Sequence, residues 1–418
     1  MLKLIDKPFL WYPPRPHPII SPVGRLYNKY VYLPGKSHLI KEFHCSGREK
    51  IRELRADRRN RFLFLANHPS HSDPQIIMES LRGMGISSHY LTSYDLFYRR
   101  TPFERWAMQK SGAFSIDRES FNARPFNVAA GIVRDGKHAL TIFPEGRPYL
   151  QNDLVTPFMS GAVYIGLAAQ KALLGTDKKV FLVPTAVKLT HTEDCLSLLM
   201  RMLLRLADDI GYNPGRTDDP VALAENTAIA LMQRALKSFG YPMVEEGSLE
   251  TMRDQAAEII IRDLETRTGW ANGEEKDPWK RVLAIRSGIH RILLDPDRNL
   301  PLVPAAGQWA RRALTAMKII SYPVNYLREN PTLDRFGEVV ERLLEDRQSV
   351  AIPPYSGRAV FTRFGNPVDL SALMSGSQVK RNQLKQELSD TIRTEIQVLI
   401  DSINAENAYP GAAYITEV

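Results

Sequence analysis

Residues 61–75, "RFLFLANHPSHSDPQ", change character twice in a short space. Phe62 to Ala66 form an unbroken apolar run, as expected of a strand buried on both faces. Two histidines, two serines and an aspartate then crowd into positions 68–73, and helical spacing of apolar residues begins in "PQIIMESLRGM". A strand that ends in polar residues just ahead of a helix is the repeating element of an open α/β sheet. In such sheets reactive groups gather past the carboxyl ends of the strands.

The element repeats. "SSHYLTS" (87–93), "AFSID" (113–117), "HALTIFPEG" (138–146) and "KKVFLVPTAVKL" (178–189) read as further strands. The helices between them are "TPFERWAMQKSG", "FNARPFNVAAGIVRDGK" and "SGAVYIGLAAQKALLG". Strands alternating with helices of this length predict an α/β fold, a mixed, largely parallel sheet flanked by helices. After residue 190 apolar residues recur at helical spacing through five or six segments punctuated by Gly and Pro. Strand alternation returns in "RAVFTRF" (358–364), and "QVKRNQLKQELSDTIRTEIQVLIDSIN" (378–404) predicts a long amphipathic helix.

Composition narrows the setting. A chain of 418 residues, 44% of them hydrophobic, can bury a large core. Its only two cysteines, Cys45 and Cys195, argue for a reducing compartment and against a disulfide framework or a thiolate zinc cage. No apolar run is long enough to span a bilayer, and "MLKLIDKPFLWYPPRPHP" carries too many prolines for a signal peptide. The expected location is cytoplasmic, free or lying on a membrane without crossing it. Net charge is +8, and residues 1–61 hold 14 Lys/Arg against 5 Asp/Glu, so the excess is N-terminal. That basic segment, residues 1–60, is interleaved with Phe9, Trp11, Tyr12, Tyr27, Tyr30 and Tyr32. It suits an anionic surface, lipid or nucleic acid, or else an arm whose aromatics pack on the core.

The polar cluster admits three kinds of chemistry. A zinc site needs a third or fourth ligand in a recognisable pattern, and none accompanies His68 and His71, so no metal is expected. A serine nucleophile lacks the G-x-S-x-G elbow. The remaining arrangement is a base and its orienting acid, His68 and Asp73, in which the carboxylate fixes the imidazole tautomer and the other ring nitrogen serves as general base. The same residues also suit a plain loop with Asp73 capping the helix ahead of Pro74. Further polar groups stand at the other strand ends. Arg118 ends "GAFSIDR", while Glu145, Gly146 and Arg147 follow the strand in "FPEGR". Arginine can clamp phosphate, and glycine lets backbone N–H groups approach it.

Taken in order, Asn67-His68…Asp73, Gly112…Arg118, Phe143-Pro144-Glu145-Gly146-Arg147 and Val183-Pro184 resemble the four blocks of the glycerophospholipid acyltransferase family, which includes the lysophosphatidic acid acyltransferases. The resemblance implies transfer of a fatty acyl group from acyl-CoA or acyl-carrier protein, as co-substrate and with no cofactor, to a hydroxyl of a lysophospholipid or glycerol-phosphate acceptor. It makes His68 and Asp73 the catalytic pair, and Arg118, Glu145, Gly146 and Arg147 the acceptor-binding set. Arg147 follows Gly146 directly where the family usually has Thr and then Arg, which leaves a larger headgroup open. "FTRFGNPVDL" (361–370) resembles the family's closing strand. The resemblance thus divides the chain into the arm (1–60), an acyltransferase core (61–190), a large all-helical insertion (191–355) and a closing strand and helix (356–418). The expected partners are an anionic membrane surface, the acceptor and acyl-carrier protein, without nucleic acid. The rival activities are a soluble glycerol-3-phosphate acyltransferase and an acyl-thioester hydrolase using the same pair.

Overall fold

The computed structural model describes residues 8–17, 20–118, 122–146, 150–159, 161–215, 219–270, 275–294, 300–376 and 381–415. Within them the chain forms α1 (Ile20–Tyr27), β1 (Ile40–Ser46), α2 (Glu49–Ala56), β2 (Asn60–Ala66), α3 (Asp73–Arg82), β3 (Ser88–Ser93), α4 (Tyr94–Tyr98), α5 (Pro102–Lys110), β4 (Ala113–Ile116), α6 (Ala123–Asp135), β5 (Ala139–Ile142), α7 (Gly161–Lys171) and β6 (Lys179–His191). Seven helices follow: α8 (Leu196–Asp209), α9 (Pro220–Ser238), α10 (Leu249–Thr268), α11 (Pro278–Leu294), α12 (Val303–Ile320), α13 (Tyr326–Glu329) and α14 (Leu333–Gln348). Then come β7 (Arg358–Phe364), β8 (Val368–Asp369), α15 (Leu370–Gly376) and α16 (Arg381–Glu406).

The chain divides into two compact units. One is α/β, residues 9–193 and 353–409, and holds the whole sheet. The other, mainly residues 194–352, is helical. Its helices carry conventional starts and stops. Asp219, Ser248 and Thr332 cap α9, α10 and α14, and Gly269 closes α10 in the left-handed conformation. Arg281 of α11 reaches Glu258 and Glu265 of α10, each at 2.7 Å. Among the described residues no helix is long and apolar enough to cross a membrane.

The sheet is mixed and largely parallel, in the order β1-β7-β6-β2-β5-β3-β4, with β8 also on β6. The fold class is therefore as the alternation predicts. β2, β3, β4, β5 and β6 pair in parallel, whereas β7 and β8 run antiparallel to β6, and β1 lies parallel to β7. The sheet thus takes in Ile40–Ser46, ahead of the first strand read from sequence.

β2 owes its place to the apolar run. It has β6 on one edge and β5 on the other, and both of its faces are covered. Leu63 and Leu65 face a core shared with α6, α7 and α16, while Phe62, Phe64 and Ala66 face a second core with Ile51, Ile76, Ile77 and Leu81. Alternate side chains of a strand point to opposite faces, so one five-residue run supplies both layers. Pro184 is tolerated inside β6 because it uses only its carbonyl there, which accepts from Gly365 N–H at 2.8 Å.

The N-terminal aromatics part company. Phe9 meets Tyr94 edge-on at 5.3 Å, Trp11 meets Phe114, and Tyr12 stacks on Phe97 at 4.5 Å, so these three pack onto the sheet's edge layer. Tyr27 and Tyr30 are more than half exposed.

From the far end of the chain, α16 closes the first core with Ile392, Ile396, Ile400 and Ile403, all fully buried at helical spacing, while Val398 is exposed. Ile396→Ala is expected to lower stability by about 2–5 kcal/mol and Val398→Ala by no more than about 0.5 kcal/mol, read from urea denaturation of the whole chain.

Candidate active site

The site is assembled where β2 leaves the sheet. Asn67 marks the exit: its side-chain amide donates to Val187 carbonyl at 2.8 Å and accepts from Val187 N–H at 2.7 Å. The side chain thereby continues the β2–β6 ladder one step after the main chain has turned away, and this fixes where His68 begins. The chain then turns at Ser70–His71 and enters α3. Asp73 stands in the first turn of that helix, with Ser72 at the cap position making no side-chain capping hydrogen bond, so Asp73 is not the helix cap.

Asp73 is wholly buried and its carboxylate is fully engaged. Oδ2 lies 2.6 Å from His68 Nδ1 and accepts Ser70 N–H at 2.9 Å, while Oδ1 accepts the Ser70 hydroxyl at 2.7 Å. A buried carboxylate needs such partners to stay ionised, and the amino end of α3 adds favourable potential. With Nδ1–H donated to Asp73, the lone pair of His68 lies on Nε2. The His68 side chain keeps 14% of its surface exposed and its ring stacks on Phe143 at 4.5 Å. The ring is thus oriented on one edge and one face with a small part of its surface left exposed, an arrangement compatible with a general base.

A second carboxylate holds the backbone of the same residue. Glu145 Oε1 accepts His68 N–H at 2.8 Å, and Oε2 accepts both the Thr156 hydroxyl and, at 3.3 Å, Thr156 N–H. Both oxygens of Glu145 are therefore engaged within the chain. Burial, with Asp73's like charge adding to it, pushes its carboxyl up to about 7, against the pull of those hydrogen bonds. Glu145 reaches this position because Gly146 turns the chain at φ +79°, its N–H returning to Phe143 carbonyl at 3.0 Å. Arg118, at the carboxyl end of β4, donates to Gly146 carbonyl at 2.8 Å and lies 3.8 Å from Asp95. A third of its side chain stays exposed beside that turn. Arg147 lies outside the described residues. The structure thus brings His68, Asp73, Arg118, Glu145 and Gly146 to neighbouring strand ends. Among the described residues no three His, Cys, Asp or Glu side chains group as a metal site.

Several supporting residues escape a reading of the sequence. Ser70 and Ser72 look like ordinary turn residues. Yet Ser70 grips Asp73, Ser72 Oγ lies 3.3 Å from Ser70 Oγ, and His38 Nδ1 lies 3.2 Å from Ser72 Oγ. Burial lowers the His38 imidazole to about 4, so it is neutral around pH 7 and can donate along this chain toward Asp73. Thr156 sits on a buried polar segment, 151–156, that is tied to α16 and β6. Gln397 spans Val155 N–H and Asp153 carbonyl, Asn404 reaches Asp153, and Asn152 accepts Leu189 N–H. The polarity of "QNDLVT" was the only available signal, and it suits an exposed loop equally well.

A family model described as Acyltransferase matches residues 42–188, from β1 to near the end of β6. This region is an acyltransferase domain. It belongs to the glycerophospholipid acyltransferase family. No curated protein matches the chain.

Glu145 gives a testable stability signature. Its folded-state pKa is raised from the usual carboxyl range to about 7, so the native state keeps a proton that the unfolded chain has released. This contribution is full at low pH and is lost as pH rises through about 7. Glu145→Gln is expected to flatten that part of the decline, seen as a smaller fall in melting temperature between pH 5 and pH 8 than in the parent protein.

Proposed function

We propose that this protein is a peripheral membrane O-acyltransferase of the 1-acylglycerol-3-phosphate acyltransferase type. It moves a fatty acyl group from acyl-CoA or acyl-carrier protein to the hydroxyl of a lysophospholipid or glycerol-phosphate acceptor. The observation that carries this reading is the 2.6 Å contact between the buried Asp73 carboxylate and the partly open His68 ring, inside the region matched by the acyltransferase family.

In this reading His68 Nε2 takes the proton of the acceptor hydroxyl as its oxygen attacks the thioester carbonyl carbon. Asp73 stabilises the resulting imidazolium and holds the tautomer. The C–S bond breaks as the carbonyl re-forms, and the imidazolium returns the proton to the departing thiolate. Base and acid are one residue, so no protein nucleophile is required. Glu145 keeps the His68 backbone in register, and Arg118 offers its remaining N–H groups to a phosphate on the acceptor. His68→Ala is expected to lower acyl transfer by about 10²–10⁴-fold while the circular dichroism spectrum is unchanged. The assay pairs one acyl-CoA and one acyl-carrier protein with a panel of lysolipids and glycerol phosphate. Thiol release at full rate without any acceptor would instead establish a hydrolase.

Membrane association is supported by a surface rather than by the whole basic arm. Val23, Leu26, Tyr27, Tyr30 and Val31, on α1 and the π-helical turn after it (Asn28–Tyr32), recur at helical spacing and are all more than half exposed. α1 packs on α5, whose Phe103 and Trp106 are exposed and stacked at 5.7 Å. Lys29 and Arg25 lie on the same segment. An exposed apolar stripe beside cations is the signature of a segment lying in the lipid interface. By contrast, Arg52, Arg55 and Arg59 of the more basic stretch that follows make hydrogen bonds to Gly83, Gly85 and Asp57. Leu26→Ser with Tyr30→Ser is expected to cut co-sedimentation with anionic vesicles several-fold, with transfer to a short-chain soluble acceptor unchanged.

A further inference from the structure

A cavity of about 370 Å³ opens in the α/β unit at the end of the strands remote from His68. Its wall includes Ser87 and Ser88 at the start of β3, Lys137 and His138 just ahead of β5, and Arg25 of α1. The carboxyl ends of the same strands lead to Ser93 and to Phe143–Gly146. Strands of four to six residues separate the two ends by roughly 13–20 Å, so this cavity does not belong to the acyl-transfer site. Its volume lies in the range of small-molecule sites.

The wall is positively charged and poor in acid. Arg25 and Lys137 carry its positive charge, His17 and His138 line it beside them, and Glu79 is its sole carboxylate among the described residues. Glu79 is committed to Arg82, which it meets at 2.7 and 3.0 Å. The cations crowd one another. The Arg25 guanidinium is held below its ordinary pKa by burial and by Arg82, and the His138 ring below its own by burial, Lys137 and Arg25. Like charges gathered in a half-buried cavity are unfavourable in the empty protein and are relieved by an anion. A hydroxyl completes the donor set: Ser87 on the same wall accepts from Arg25 and keeps its own proton to donate, while the Ser88 hydroxyl is engaged with His89 carbonyl and Thr141. Such a constellation recognises a tetrahedral oxyanion better than a planar carboxylate, because donors converge from several directions onto more than two oxygens.

We propose that this cavity is a second binding site, separate from the acyl-transfer site, for a phosphate-bearing ligand. Arg25 and Lys137 are its charged contacts, with the His138 ring beside them. The ligand is either a small soluble phosphate compound or a phospholipid headgroup. The latter has a route because α1 carries Arg25 into the cavity wall and exposes Val23, Leu26 and Tyr27 beside it.

The test titrates the full chain with inorganic phosphate by calorimetry. In parallel it measures binding to phosphatidylcholine vesicles with and without phosphatidic acid. Lys137→Ala and His138→Gln change groups on the cavity wall and leave every strand intact, and Lys237→Ala, which removes an exposed cation from the last turn of α9, serves as the control. Lys137→Ala and His138→Gln are each expected to weaken binding about tenfold or more, with Lys237→Ala within about threefold of the parent. Saturable binding of inorganic phosphate with that pattern assigns a soluble ligand. The same pattern seen only as phosphatidic-acid-dependent vesicle binding assigns a headgroup. Absence of both bindings, or any pattern in which the cavity variants bind like the parent or Lys237→Ala loses binding alongside them, overturns the proposal. Circular dichroism melts of each variant show whether a loss reflects unfolding, and Lys137→Arg, which keeps the charge, is expected to retain binding.

Discussion

Two buried carboxylates hold His68 from opposite sides, Asp73 on its ring and Glu145 on its backbone N–H. Burying either group is costly unless each oxygen finds a donor, so the local structure is organised around supplying donors. Asp73 draws on Ser70 and the first turn of α3. Glu145 draws on Thr156, and Thr156 is where it is because the 151–156 segment is tethered to Gln397 and Asn404 of α16 and to Leu189 of β6. A helix more than two hundred residues downstream thereby determines how firmly the His68 backbone is held. The proximity of the two carboxylates also explains their division of roles. Burial, with the like charge of Asp73 adding to it, raises Glu145, while Asp73 lies at a helix amino end and accepts the hydrogen bond from the imidazole.

The mixed sheet serves this arrangement. Parallel pairing of β2, β3, β4, β5 and β6 sends all of their carboxyl ends the same way, which gathers His68, Arg118 and the Glu145–Gly146 turn from segments far apart in sequence. The antiparallel β7 and β8 close the other edge of β6 and provide a donor for Pro184 carbonyl through Gly365. The same parallel order leaves a second set of chain ends on the opposite side, where Arg25, Lys137 and His138 meet. One topology therefore presents two chemically different rims, an acid–histidine rim and a basic one.

Much of this was legible in the sequence. The apolar run 62–66 predicts a strand covered on both faces because alternation has no polar face to show, and β2 is such a strand. The fold class follows from strands and helices alternating at regular lengths, and a five-residue separation across a turn into a helix allows the contact between His68 and Asp73 without deciding it against a plain helix cap. Less legible were β1, whose "IKEFHCS" mixes charge with apolar residues as an edge strand does, and the split of the N-terminal aromatics. Phe9, Trp11 and Tyr12 lie on the sheet's edge layer and Tyr27 and Tyr30 face outward, a difference that composition does not record.

What the sequence by itself determined is the set of local rules: which runs bury both faces, where polar residues interrupt them, and that His68 and Asp73 lie within reach of each other. Those depend on periodicity and short separations, which the linear chain contains. What only the tertiary structure decided is which polar side chains become the partners of buried charge. Thr156 for Glu145, Gln397 for the segment that carries Thr156, and His38 for Ser72 are chosen by packing rather than by adjacency in the chain. A threonine or glutamine reads the same in a solvated loop as in a buried network. The physical reason is that desolvation, which makes these contacts matter, is a property of the three-dimensional surroundings and has no signature in the order of residues.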